Sequence, residues 1–514
     1  MRLAKPKKKG LIHILFSRVL IIALLILLQV VIFIGIYLFL ADSVPFFTAF
    51  VVLFTFAMIF YVFNSEMDSS AKLTWLLILA IAPIPGALFL AYTKINVGHR
   101  EVTRRVERLI SESRNLIEQD PDTIKALKDD RSGTAELDCY MNRTNSFPVY
   151  RNTSVRYFPL GEHKFKAMLE ELEKAQSFIF MEYFIIEEGE MWGAILDILA
   201  KKAKQGVDVR VMFDGLCEIT TLPGNYTKLL EKEGIKARAF SHLTPMVSTH
   251  YNYRDHRKIL VIDGKVAFNG GVNLADEYIN RIVRFGHWKD TAVMIKGPAV
   301  QSFTLMFLQM WNIYEKEADF KEAQIKADPM EAEGYVIPYG DCPLDRYKVG
   351  ESVYMDILYR ANRYVHIMTP YLILDGELET ALKYAAERGV DVRIILPGIP
   401  DKKTAYSLAK AHYRSLVESG VRIYKYTPGF VHAKVVTSDD EKAVVGTINF
   451  DYRSLYHHFE CATYMYGTPC IKEIDADFAA TIEKCREVTL ETIKKEKKSY
   501  KIFGAILKLF APLF

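Results

Sequence analysis

Three long apolar runs open the chain. Residues 19–41, 43–65 and 73–93 contain no Asp, Glu, Lys or Arg, and each is long enough to cross a hydrocarbon layer of roughly 30 Å. Basic residues flank them, with Lys5, Lys7, Lys8 and Lys9 before and Lys94, Arg100, Arg104, Arg105 and Arg108 after. Such flanks favour an even number of crossings with both ends in the cytoplasm. The Pro83-Ile84-Pro85-Gly86 interruption marks the third run as the one to be broken, re-entrant or interfacial. A cleaved signal peptide fits poorly, because the first run is too long and lacks a small-residue cleavage site. The pattern predicts a multi-pass membrane anchor of two or three spans over residues 1–94, with the remainder of the chain on the cytoplasmic side.

Beyond the anchor the period changes. Residues 95–149 are charged and helical in spacing, a connector. From 150 onward apolar strands alternate with amphipathic helices, and the alternation occurs twice. The helix in "AKKAKQGVDVRVMFDG" ends at Gly206, and that in "LKYAAERGVDVRIILPG" ends at Gly389; an apolar strand comes after each. Another strand precedes each, "SFIFMEYFII" and "RYVHIMTPYLIL". Strand, helix, strand is the βαβ unit, so the predicted class is α/β, with parallel strands covered by helices. The duplication sets two domains, 150–325 and 326–490, able to pack about a pseudo-twofold axis.

The repeat carries chemistry. "DHRKILVIDGKVAFNGGVNLADEY" (255–278) aligns with "VHAKVVTSDDEKAVVGTINFDYRS" (431–454). His256, Lys258, Asp263 and Asn273 each lie 176 residues before His432, Lys434, Asp439 and Asn449. Residues two apart on a strand share a face, so each His projects beside its Lys. Two imidazoles, two ammonium groups and two amides suit an anionic tetrahedral group. One neutral imidazole attacks phosphorus, the other protonates the leaving oxygen, and the lysines and asparagines stabilise the remaining oxygens. No metal is required. The motif counts Asp263 and Asp439 with the catalytic set, although Asp263-Gly264 and Asp439-Asp440 are turn sequences and turn chemistry is the plainer account of both.

Composition narrows the field. A net charge of +4 over 514 residues argues against a nucleic-acid-coating protein, as does the lack of a basic, aromatic-interleaved groove. Six cysteines without a CxxC pair indicate free thiols rather than a disulfide or zinc framework. No acid or cysteine clusters at ligand spacing around His242, His250 and His256, so these read as satisfied or surface histidines.

The paired H-x-K-x4-D motifs resemble those of the phospholipase D superfamily. With the membrane segment, "GGVNLADEY" and "NFDYRS", the whole chain is similar to bacterial cardiolipin synthases of that superfamily. The resemblance implies phosphatidyl transfer between two phosphatidylglycerol molecules, giving cardiolipin and glycerol through a phosphohistidine, with no cofactor, nucleic acid or obligatory protein partner. It implies His256 as nucleophile and His432 as general acid. It also implies that Asp290 ("HWKDTAV") and Glu460 ("HHFECAT") orient the histidines, without saying which serves which. Gly271 and Thr447 stand where the superfamily commonly has serine. A hydrolase or other phosphodiesterase of the same superfamily is the alternative; a silent membrane scaffold is disfavoured because both motifs are complete.

Tyr183 and Tyr371, taken as counterparts, either line a substrate channel or pack in the core. The tail 491–514 joins a lysine-rich stretch to Ile502, Phe503, Ile506, Leu509, Phe510 and Leu513 at helical spacing. That suits an anionic membrane interface, or a helix docked on the protein itself.

Overall fold

The computed structural model describes residues 46–94, 99–130, 132–240, 253–496 and 498–513, with scattered positions between 31 and 44. The chain forms two compact units, residues 1–95 and 96–514.

In the first unit, most of the first apolar run lies outside the described residues. The second run forms the 17-residue helix Phe47–Phe63, roughly 25 Å long. The third divides into Ser69–Ile81 and Pro83–Lys94, broken where Ala82 leaves helical geometry ahead of Pro83 and Pro85. Asp68 caps the first of these by accepting from the amides of Ser70 and Ala71. Among the described residues no helix is long and apolar enough to cross a membrane.

The second unit holds the duplicated α/β architecture. One sheet runs in the order Ser154–Phe158, Ala292–Lys296, Val266–Gly270, Lys258–Ile262, Phe178–Tyr183, Asp208–Asp214, Lys236–Phe240. The other runs Tyr335–Asp341, His458–Tyr466, Lys442–Gly446, Val435–Ser438, Tyr364–Met368, Asp391–Pro397, Arg422–Tyr426, Cys485–Val488. The parallel pair Phe178–Tyr183 with Asp208–Asp214 repeats as Tyr364–Met368 with Asp391–Pro397, each joined by a helix ended at a positive-φ glycine, Gly206 or Gly389. The central strands, such as Phe178–Tyr183, Lys258–Ile262 and Val435–Ser438, are buried at every residue, whereas the outer strands Lys236–Phe240 and Arg422–Tyr426 carry exposed polar positions. The helix Val300–Trp311 is almost wholly buried and belongs to the same core as the second sheet. The charged segment after residue 95 joins that core through Val106, Ile117, Leu127 and Met141.

Register corrects one alignment. Glu182 pairs with Ile259, and Met368 pairs with Val435, the counterpart of Ile259. Tyr183 therefore corresponds to Thr369, and Tyr371 to Ile185. Tyr183 is core; Tyr371 is not its twin.

Asp263 and Asp439 sit at the far ends of their strands from the histidines. Asp263 accepts from the amides of Gln176, Ser177 and Phe178 at 2.7–2.9 Å. Asp439 accepts from Asn362, Arg363 and Tyr364 at 2.7–3.0 Å. Both have positive φ, 55° and 58°. Each carboxylate anchors the start of a neighbouring core strand and takes no direct part in the cleft. Asp439→Ala is expected to lower stability by about 2 kcal/mol, since three charge-assisted bonds go and alanine tolerates this backbone poorly. Asp439→Asn, which accepts positive φ, should lose less. Thermal unfolding, read alongside activity per folded molecule at low temperature, separates this from a chemical role.

The tail forms the helix Lys498–Leu509. It docks closely where a Cβ on Gly504 would lie 2.8 Å from the Ser407 carbonyl. Leu507 packs on a small cluster of Ile373, Leu408, Tyr452 and Ala511.

Candidate active site

The two halves are knitted together at the histidines. Arg254–Asp255 runs parallel to His458–Phe459, and the His256 amide donates to the Phe459 carbonyl at 2.9 Å. In mirror fashion Gly429–Val431 runs parallel to His287–Lys289, and the His432 amide donates to the Lys289 carbonyl at 2.7 Å. Each motif histidine is thus delivered to the strand of the other half that carries an acid.

The acids are consequently crossed. His256 Nδ1 lies 2.8 and 2.9 Å from the two carboxyl oxygens of Glu460. His432 Nδ1 lies 2.7 Å from Asp290 Oδ2. With Nδ1 engaged on each ring, Nε2 is left for the cavity. His256, His432, Asn273 and Asn449 line one cavity of about 550 Å³, together with Phe184, Tyr278, Trp288, Tyr371, Phe430 and His458. Lys258 and Lys434 are fully buried behind the histidines, and each ammonium donates to the carbonyl of its own motif histidine, Lys258 at 2.6 Å.

The two pairs differ electrostatically. Burial and then Lys258 hold His256 well below the ordinary imidazole range. Burial and Lys434 bring His432 down to about 4, with Asp290 pulling the other way. Burial pushes Glu460 well up, against Lys258 and the Thr447 hydroxyl. Burial works to raise Asp290 too, but the charges of His432 and Lys434 prevail and hold it below its ordinary value. Burial brings Lys258 to about 8 and Lys434 to about 7. This cluster is short of anion, and a phosphate would restore charge to its cations.

The supporting residues divide. Thr447 donates its hydroxyl to Glu460 and accepts from the Cys461 amide at 3.0 Å. Gly271 does something else: a Cβ there would lie 2.1 Å from Asp290 Oδ1, and its amide goes to the Thr291 carbonyl at 3.0 Å rather than to the cleft. Glycine at this position makes room for the carboxylate that serves His432. Asn273 is committed to its own half, accepting from Ile185 at 3.1 Å and donating to the Tyr278 hydroxyl at 2.8 Å. The buried carbonyl oxygen of Asn449 has no partner among the described residues.

Sequence reasoning allows at most one of the adjacent His457 and His458 to reach a site, and the cavity takes His458; it does not single out Trp288. Trp288 and His458 each stand two residues before the acid of their half, and residues two apart on a strand share a face. Trp288 packs 5.5 Å from the His432 ring, and His458 5.3 Å from the His256 ring. His242 and His250 lie outside the described residues. His256, His458 and Glu460 place ligand atoms within 4.8 Å of one another, a set that could hold a metal ion.

A family described as "Cardiolipin synthase, PLD-like domain" matches residues 168–311 and 354–482. A Streptococcus mutans protein called uncharacterized is 57% identical over 88% of this chain and 99% of its own. The cardiolipin synthase of Alkalihalophilus pseudofirmus is 30% identical over 90% of this chain and 93% of its own. Cardiolipin synthase 2 of Bacillus anthracis is 31% identical over 88% of each. Among solved structures, phosphatidylserine synthase from Haemophilus influenzae superposes with a TM-score of 0.54 over 70% of this chain and 93% of that one. At 14% identity this is a likeness of fold.

Proposed function

The chain belongs to the cardiolipin synthase family of phospholipase D-like proteins, and from that premise we propose that it joins two phosphatidylglycerol molecules into cardiolipin and glycerol through a phosphohistidine. The observation that carries the reading is the pair of crossed carboxylate–imidazole contacts facing one cavity.

His256 Nε2 attacks phosphorus, the bond from phosphorus to the glycerol oxygen breaks, and that oxygen takes a proton from His432 Nε2. Glycerol leaves. The glycerol hydroxyl of a second phosphatidylglycerol then gives its proton to His432 and attacks phosphorus, the P–N bond breaks, and cardiolipin leaves. The unequal acids support this division. A bound phosphate favours protonation of both imidazoles, and the one beside the better-ionised carboxylate, His432, holds a proton more readily. Lys258 and Lys434 supply fixed cations from behind.

The anchor belongs to the same reading. Helix Phe47–Phe63 leaves large apolar side chains exposed, Phe50 at 58% and Phe60 at 72%, an arrangement that water does not favour and lipid does. The proposal keeps residues 1–94 in the cell membrane as a multi-pass anchor, with the 96–514 unit on the cytoplasmic side.

The test is to incubate the purified chain with phosphatidylglycerol alone and analyse lipids and released glycerol, with and without exhaustive chelation. Cardiolipin and glycerol in equal amounts, unchanged by the chelator, are expected. Phosphatidic acid without cardiolipin would identify a hydrolase. Loss under chelation, restored by one divalent ion, would transfer the chemistry to the His256, His458 and Glu460 set.

A further inference from the structure

Three separate segments meet the rim of the cavity with apolar side chains exposed. In the first half, Ile282 and Val283 are exposed at 51% and 76%, and the next two residues, Arg284 and Phe285, line the cavity. In the second half Ile399 is 42% exposed, and Asp401 and Lys402 line the cavity just beyond it. These two segments touch: a Cβ on Gly286 would lie 3.2 Å from Ile399 Cδ1. The third segment is the tail, whose Ala511 also lines the cavity.

The tail helix is docked and yet leaves apolar side chains exposed. Gly504, Leu507 and Ala511 face the protein. Ile502, Phe503, Ile506 and Leu509 remain 46–62% exposed. Their spacing of one, four and seven residues makes a stripe along one helical face. Docking on the core and an outward apolar face, which the sequence offers as alternatives, therefore coexist on one helix.

Charge indicates what covers this face. Residues 494–514 carry six lysines against one glutamate, and of the six Lys508 is ion-paired to Glu379 at 3.2 Å. Lys402 and Lys403 come soon after Ile399. Arg281 and Arg284 flank Ile282 and Val283 but are ion-paired to Glu190 and Glu277 at 3.0 and 2.7 Å, so the surplus positive charge comes from the tail. An apolar stripe with a cationic border fits a bilayer of anionic lipid, where burial of side chains and attraction to headgroups add.

We propose that this rim, made by residues 282–283, Ile399 and the outward face of the tail helix, seats the 96–514 unit on the surface of an anionic bilayer, with the cavity opening onto the headgroups. The inference rests on the reading that the substrates are lipids. It adds a contact independent of the N-terminal anchor. A phosphodiester held by two acyl chains then reaches the histidines without leaving the bilayer, because the rim brings the cavity to it.

The experiment uses the full chain reconstituted in vesicles. Two double variants are compared, Ile282→Asp with Val283→Asp, and Phe503→Asp with Ile506→Asp. Cardiolipin formation is measured on long-chain phosphatidylglycerol in vesicles and on a short-chain phosphatidylglycerol dispersed as monomers. A loss of roughly tenfold on vesicles with less than about twofold change on monomers is expected. Equal loss on both substrates would show that these residues are structural; no loss on vesicles would show that the rim is not seated. Either result overturns the proposal. A second readout needs no turnover. In a Phe503→Trp variant the fluorescence of the added tryptophan, taken against the parent chain, should be quenched by lipids with brominated acyl chains in anionic vesicles. Absence of that quenching overturns the docking face. Quenching without any cardiolipin formed would instead sink the functional reading and leave the docking face standing.

Discussion

His256→Ala forms no covalent phosphoenzyme, whereas His432→Ala accumulates one. This is the expected result of rapid-quench trapping with phosphatidylglycerol labelled in its phosphatidyl group. Without the His256 imidazole there is no nitrogen to attack phosphorus, so the first bond never forms. Without His432 the first step loses its acid and the second its base. What intermediate does form is stranded, because the incoming hydroxyl has nowhere to place its proton. Both variants should lose overall activity by about five orders of magnitude, since groups acting as a unit each cost nearly the whole effect. Burial lowers both imidazoles, and the unequal acids behind them favour this assignment. Burial pulls His256 well below the ordinary imidazole range, which favours the neutral ring with its lone pair available. His432 sits against Asp290, an acid held low by its neighbours. Label recovered on His432 in the parent chain, or any label in His256→Ala, reverses the roles.

The duplication was legible because it is written in local chemistry. The 176-residue offset, the glycines at 206 and 389 and the apolar strands all arise from neighbouring residues that dictate their own geometry. Asp263 and Asp439 were legible as turn residues for the same reason. The partnership of the acids was not. Glu460 serves His256 and Asp290 serves His432 only because Arg254–Asp255 and Gly429–Val431 each add a short parallel strand to the opposite half. No local spacing encodes a pairing between segments that lie 204 and 142 residues apart. Gly271 shows the same limit. As sequence it is a missing serine; in the fold it is the space that Asp290 occupies. Trp288 and His458 are different, since the period of two ahead of each acid already placed both on the site face. The three runs were legible as apolar stretches, and the prolines at 83 and 85 already marked the third as the one to break, as it does at Ala82. Strand ends alone pair the tyrosines wrongly. The loops between repeats differ in length, so only the hydrogen-bond register identifies Thr369 as the counterpart of Tyr183.

The crossed pairing has a consequence that leaving-group chemistry can read. Asp290→Asn should slow transfer from phosphatidylglycerol by roughly 10³-fold, the scale of a lost general acid, because the amide no longer favours a proton on His432. Glycerol is a poor leaving group and needs that proton; p-nitrophenolate does not. With a phosphatidyl ester of p-nitrophenol, the deficit of Asp290→Asn in the first step should therefore shrink to less than about tenfold. Glu460→Gln should behave otherwise. Its partner His256 must carry positive charge once bonded to phosphorus, and a neutral amide does not stabilise that charge. The Thr447 hydroxyl and the His256 ring would also compete for the one remaining side-chain oxygen. Loss of the carboxylate behind an attacking group costs on the order of 10³ to 10⁴-fold, and no leaving group restores it, because the defect lies in attack. Stopped-flow release of p-nitrophenolate, set beside glycerol release from phosphatidylglycerol, gives the two ratios. Rescue of Glu460→Gln in place of Asp290→Asn would mean that His256 is the acid and His432 the nucleophile. Equal rescue of both would mean that neither acid is tied to one step, and the division of labour between the two histidines would fall.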